Sequence, residues 1–185
     1  FDRVFKPGVE QVEVYEEVKH VAHGVSQGFN GTIFAYGQTG SGKTYTMGGS
    51  TEKLSFARAS AAASDVPEAG VIPRAVSTLL ADAEARKAEG WEFALTATYV
   101  EIYNERIRDL LNPANDNLQV GASEHPSGRG VEAAGAKEVR VSTLEEAVAV
   151  LRKGAEQRAT AATLMNNASS RSHSIFMLRL EQVCV

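Results

Sequence analysis

Alternating helix and strand patterns predict an α/β or α+β protein. The run Thr32-Ile33-Phe34-Ala35-Tyr36 is β-branched and aromatic, and it is consistent with a buried parallel strand. A glycine-rich turn follows it at once and opens into a helical stretch. A length of 185 residues with 43% hydrophobic content suits one domain, or part of one, with an apolar core.

The elements follow in order. Val14, Val18, Val21 and Val25, with Tyr15 and Ala22 beside them, recur at helical spacing and predict a helix over residues 9–27, ended by Gly28. The predicted strand at 32–36 leads through the turn to a helix from about Gly42 to Met47. Residues 48–70 are small and polar and predict a long surface loop. Pro73 suits the first turn of a helix reaching Ala88 and stopped by Gly90. Residues 93–103 have the composition of a long strand, and 106–111 are expected to form a short helix ending before Pro113. Turn residues dominate 115–135, with brief strands expected at 118–120 and 137–141. Ser142 with Glu145 makes a capping box for a helix to about Arg158, with Leu144, Val148 and Leu151 inward. A polar loop at 166–173 precedes a closing strand over 175–185.

Composition excludes some classes. The net charge of −4 advertises no broad basic surface, so no nucleic-acid partner is expected. No run of about eighteen apolar residues occurs, so no membrane insertion is expected. Cys184 is the single cysteine and is expected to be a buried thiol, in keeping with a reducing cytoplasm.

Chemistry concentrates in Gly37-Gln38-Thr39-Gly40-Ser41-Gly42-Lys43-Thr44, which matches G-x-x-x-x-G-K-T without a gap. In such a loop the glycines let backbone N–H groups turn inward around a phosphate. The Lys43 ammonium can reach the β and γ phosphates, and the Thr44 hydroxyl can ligate Mg²⁺. The pattern alone means nucleoside triphosphate binding, common to GTPases, small-molecule kinases, helicases and motors. The loop Asn166-Asn167-Ala168-Ser169-Ser170-Arg171-Ser172-His173 is dense in hydroxyls and carries a cation just before a strand.

Together these segments resemble the kinesin motor domain. The resemblance rests on residues 31–44 and 166–173, on Gly70-Val71-Ile72-Pro73-Arg74, and on the segment from Glu101-Ile102-Tyr103-Asn104-Glu105 through Asp109-Leu110-Leu111, all in the family's order. Even Phe1-Asp2-Arg3-Val4-Phe5 is similar to the strand ahead of the family's first helix. The implied fold is α/β, a central mostly parallel sheet flanked by helices, here a partial motor domain truncated at both ends. The loop 166–173 resembles switch I, which senses the γ-phosphate. By that resemblance Ser170 joins Thr44 on Mg²⁺, Ser169 helps position or deprotonate the attacking water, Asn166 contacts the phosphate side, and Arg171 forms the ion pair closing switch I onto switch II. Tyr45 matches the ring set against adenine. The resemblance further implies ATP and ADP as ligands, microtubules as partner, and a cytoplasmic, cytoskeletal location. A dimer is expected through coiled-coil segments outside this chain. Residues 118–140 resemble a lobe that touches tubulin, with Arg129 and Lys137 as candidate contacts.

Three family segments do not occur within residues 1–185: the adenine-side Arg-x-Arg-Pro stretch, the Asp-x-x-Gly-x-Glu of switch II, and the main microtubule-binding loop and helix. The isolated chain is therefore expected to bind nucleotide weakly, hydrolyse it poorly and aggregate. The alternative is a truncated kinesin-like protein that binds nucleotide or microtubules without efficient turnover. A GTPase or small-molecule kinase accounts only for 37–44, and no Asn-Lys-x-Asp base-reading motif occurs.

Overall fold

A computed structural model describes residues 1–50, 66–122, 130–164 and 172–185. In chain order the elements are α1 (Gln11–Ser26), α2 (Lys43–Gly48), α3 (Val71–Lys87), β1 (Trp91–Tyr103), β2 (Arg106–Asp109), β3 (Gln119–Ala122), β4 (Val131–Ala134), β5 (Val139–Arg140), α4 (Leu144–Leu164) and β6 (Ser172–Cys184). They form two compact units, one of Phe1–Leu95, Val141–Ala149 and Leu180–Val185, the other of Thr96–Arg140 and Val150–Arg179.

In the first unit α1 packs on α3. The buried line of α1 is Gln11, Tyr15, Ala22 and Ser26, with the predicted valines half-buried on either side. Its N-terminus is closed by a capping box between Glu10 and Glu13. From α3, Val71, Val76, Leu79 and Ala83 are buried, and Pro73 sits in the first turn, where a missing N–H costs nothing. Polar pairs fix the register of the two helices. The Tyr15 hydroxyl lies 2.6 Å from Thr78 Oγ1, and His23 Nδ1 lies 2.8 Å from Asp82 Oδ2. Burial raises the Tyr15 pKa, so its phenol stays neutral. At the far end of α3, Arg86 donates to the Ser26 carbonyl at 2.6 Å and stacks its guanidinium 4.3 Å from the Trp91 ring.

In the second unit Ala97, Tyr99 and Glu101 of β1 are buried on one face, and Val100 is buried on the other, so the strand is covered on both sides there. A two-residue turn connects β1 to β2, with register Tyr103↔Arg106 and Val100↔Asp109. Asn104 and Glu105 both take positive φ, 48° and 63°, which matches the right-handed twist of a two-residue hairpin. The helix expected at 106–111 is thus a strand: its backbone bonds to β1, and the turn chemistry outweighs its helix-forming residues. Asp109, buried, closes the end of this hairpin. Its Oδ1 accepts from the N–H groups of Leu111 and Asn112 at 2.8 and 3.1 Å, and its Oδ2 from Lys137 at 2.6 Å. Strands β3 and β4 form a separate antiparallel pair, Gln119↔Ala134 to Ala122↔Val131. This confirms strand at 119–120 and adds β4 inside a stretch that composition assigns to turns.

The sheet order is β2-β1-β5, with β6 also pairing with β1. The registered pairs of β1 with β2 and β5 are antiparallel, unlike the mostly parallel sheet expected. The run 32–36 forms no strand, and Phe34 and Tyr36 are exposed at 81% and 94%. An apolar run becomes a strand only by pairing, and none of the described strands hydrogen-bonds to it. Cys184 is also exposed rather than buried, because no described layer covers that end of β6. Helix α4 begins one residue later than the predicted box. Thr143 Oγ1 accepts from Glu146 N–H at 3.2 Å, while Glu146 Oε2 accepts from Ser142 and Thr143 N–H at 2.6 and 3.2 Å. Val148 and Leu151 are buried as expected, and Leu144 packs against the cluster of Val66, Ala69 and Val148.

Gly154 of α4 packs closely on Tyr99 within the second unit. A Cβ there would stand 2.1 Å from Tyr99 Cδ1, and Tyr99 is itself held edge-on to Phe176 at 5.4 Å. Gly154→Ala is therefore expected to lower stability by about 1–3 kcal/mol through overpacking, although helix propensity alone favours alanine by about 1 kcal/mol. Urea unfolding of the two proteins measures the sign.

Candidate nucleotide site

The loop 37–44 is exposed and ordered by its own turns. Ser41 N–H donates to the Gln38 carbonyl at 3.2 Å. Gly40 and Gly42 take φ of 81° and 88°, conformations that L side chains rarely hold. Gly42 is the N-cap of α2, so its left-handed geometry turns the loop into the helix. Among the described residues nothing lies within 4 Å of where a Cβ at either glycine would stand, so none of them blocks a ligand's approach to the loop backbone.

Lys43 folds back onto this loop. Its Nζ donates to the carbonyls of Gly37 and Gln38 at 2.7 and 2.6 Å. An ammonium held only by two neutral carbonyls at an exposed site is readily transferred to a phosphate, which offers charge-assisted bonds in their place. Thr44 is exposed beside it, with its hydroxyl in the first turn of α2. Tyr45 follows, with its ring about half exposed. The structure thus brings Gly37, Gln38, Thr39, Gly40, Ser41, Gly42, Lys43, Thr44 and Tyr45 into one contiguous surface.

Asn166, Ser169, Ser170 and Arg171 lie outside the described residues, as does Arg129. The flanks of that loop are described. Arg158 in α4 donates through Nε to Glu101 Oε1 at 3.1 Å, through Nη2 to the Ser172 carbonyl and hydroxyl at 3.3 and 3.1 Å, and through Nη1 to Ser174 Oγ at 3.1 Å. One guanidinium therefore ties the start of β6, directly after residue 171, to the C-terminal end of β1. Glu101 is buried, and its presence on the covered face of a strand is the sequence signal for such a partner. Burial also raises the Tyr99 pKa next to this pair. Lys137 is exposed, and its N–H is taken by Asp109.

The expected surface loop at 48–70, which by the family resemblance corresponds to an insertion, is closed at its base. Gly49 and Ala69 form an antiparallel bridge, and Ser50 N–H donates to the Glu68 carbonyl at 3.1 Å. Residues 51–65 of that expected surface loop lie outside the described residues.

The family model of the kinesin motor domain matches residues 1–185. The chain belongs to the kinesin motor domain family. It is 42% identical over 183 residues to a kinesin heavy chain of Neurospora crassa, 98% of this chain and 18% of that protein. Kinesin-related protein 5 of Dictyostelium discoideum is 43% identical over the same share of each. Chromosome-associated kinesin KIF4A of Homo sapiens is 42% identical, with 98% of this chain covering 14% of it. A solved structure of a fast kinesin superimposes with a TM-score of 0.84 at 42% identity, over 100% of this chain and 48% of that one. The kinesin chain described here thus spans under a fifth of the length of these curated relatives and about half of the solved chain. The kinesin-motor fold is therefore shown, while the described strand pairs with registers are antiparallel.

Removing the acid from the buried pair tests the flank geometry. Glu101→Ala leaves the Arg158 guanidinium with its carboxylate gone and is expected to lower stability by about 3 kcal/mol in denaturant unfolding.

Proposed function

We propose that this kinesin chain is the nucleotide-binding part of an ATP-driven microtubule motor. The observation that carries the reading is the Lys43 ammonium, parked on the Gly37 and Gln38 carbonyls of an open loop and ready to exchange them for phosphate oxygens. Backbone N–H groups of residues 40–44 would bind the phosphates, and Tyr45 would stack on adenine.

Mg²⁺ fits the residues at hand. Thr44 offers an exposed hard oxygen donor. Among the described residues no group of three His, Cys, Asp or Glu could hold a metal by itself, so phosphate oxygens and water would complete its shell. With Ser170 as the second protein ligand, the ion would neutralise charge developing on the phosphates. Ser169 would position the attacking water, Asn166 would contact the γ-phosphate, and Arg171 would lock the loop in its closed form. Contacts that differ with the γ-phosphate present or absent are how nucleotide state would reach a distant binding surface.

The partner would be the microtubule, with Lys137 and Arg129 on the tubulin side, and the location the cytoplasmic cytoskeleton. Dimerisation would use segments outside residues 1–185. Nucleic acid is not an expected partner, and no helix among the described residues is long and apolar enough to cross a membrane. Residues 1–185 alone, with one γ-phosphate sensor, would turn over ATP poorly.

Steady-state ATP turnover of the full-length protein, with and without microtubules, tests this reading. Microtubules should raise kcat, and Lys43→Ala or Ser170→Ala should lower the stimulated rate about 100-fold or more. Turnover indifferent to microtubules, or unchanged in Lys43→Ala, would overturn it.

A further inference from the structure

Helix α2 carries Lys43 and Thr44 but has six residues, too few for its internal hydrogen bonds to hold it without outside support. Its support is at the other end. The buried Gln11 side chain donates from Nε2 to the Tyr45 carbonyl at 2.7 Å, and that same carbonyl accepts from Gly49 N–H at 2.7 Å. Gly49 is in turn bridged to Ala69, so close that a Cβ at Gly49 would stand 2.0 Å from the Glu68 carbonyl.

The second strand of this bridge is held by Arg74. Its Nε donates to the Ala69 carbonyl at 2.9 Å, and Nη2 to the carbonyls of Val66 and Pro67 at 3.2 and 3.3 Å. Arg74 is only 4% exposed, and burial lowers its pKa. Desolvating a guanidinium is costly, and an apolar side chain would fill the same helix position without that cost. What the cation supplies is three converging bonds onto one turn, at residues 66–69, which no apolar residue can make.

We propose that Gln11 and Arg74 are positioning residues for the phosphate-binding loop. Gln11 holds the end of α2 directly, and Arg74 holds it through the base of the insertion. Both act on the backbone of Tyr45 to Gly49 and so on the direction of the N–H groups at the start of α2. Nucleotide affinity is sensitive to this because a phosphate cradle is set by backbone direction, and displacements on the order of 1 Å at such sites have large effects. Neither residue reaches the ligand itself. The inference rests on the nucleotide reading of loop 37–44.

The test is equilibrium binding of Mg·ADP, followed by steady-state ATP turnover, in the full-length protein. Gln11→Glu preserves shape but turns a donor into an acceptor facing the Tyr45 carbonyl. It is expected to weaken Mg·ADP binding and raise KM for ATP about tenfold, with kcat at saturation within about twofold of wild type. Arg74→Lys keeps the charge but loses the fork, and a several-fold loss of affinity is expected. Should Gln11→Glu fail to fold, Gln11→Met removes the donor without adding charge and is read in the same way. A purely structural role would lower the unfolding midpoint while leaving affinity and KM at wild-type values, and that result overturns the inference. Lys43→Ala separates the two levels. If it weakens Mg·ADP binding while Gln11→Glu does not, only the positioning role fails. If it binds as wild type does, the nucleotide reading falls and the positioning role with it.

Discussion

A helix of six residues cannot stabilise itself, and this constraint organises the part of the protein proposed to meet nucleotide. Helix α2 exists because its two ends are fixed from outside: by the left-handed Gly42 at its start, and by Gln11 and the Gly49–Ala69 bridge at its finish. The packing of α1 on α3 places both anchors. Gln11 lies on the same buried line of α1 as Tyr15, whose hydroxyl meets Thr78 of α3, and Arg74 stands one turn before Thr78. The apolar interface of these helices thus supplies rigidity that the loop 37–44 lacks by itself.

Elsewhere the chain solves a related problem with buried charge. Asp109 satisfies three backbone N–H groups at the end of a hairpin, and Glu101 is met by Arg158. Each is a carboxylate inside a covered surface, tolerable because donors meet it there. Both lie in the 101–111 segment that carries part of the family resemblance, so its likeness to other kinesins has a physical counterpart in these two hubs. Arg158 and its bonds to Ser172 and Ser174 also set where the chain re-enters the sheet after residue 171.

What could be seen in the sequence was local. Period-3.6 apolar spacing gave α1 to within two residues at its start and one at its end, and Pro73 with Gly90 framed α3. The unbroken G-x-x-x-x-G-K-T located the loop and its helix, and the long β composition located β1. The failures were those of pairing. Residues 106–111 carry Ile, Arg and Leu at helix-compatible positions, and the hairpin is revealed by the pairing of 106–109 with β1 and the positive φ at Asn104 and Glu105. The run 32–36 reads as strand by composition, yet composition supplies no neighbour to bond with. Gln11 and Arg74 were invisible as positioning groups because each acts on a carbonyl distant in the chain or a turn behind it, which no spacing rule encodes.

Amide hydrogen exchange across residues 37–49, with and without Mg·ADP, bears most directly on the claim that this loop is the nucleotide cradle. The account predicts that Mg·ADP slows exchange of the backbone N–H groups at 40–44, where phosphate oxygens would become their acceptors. Nucleotide bound at saturation with exchange at 40–44 unchanged would contradict it.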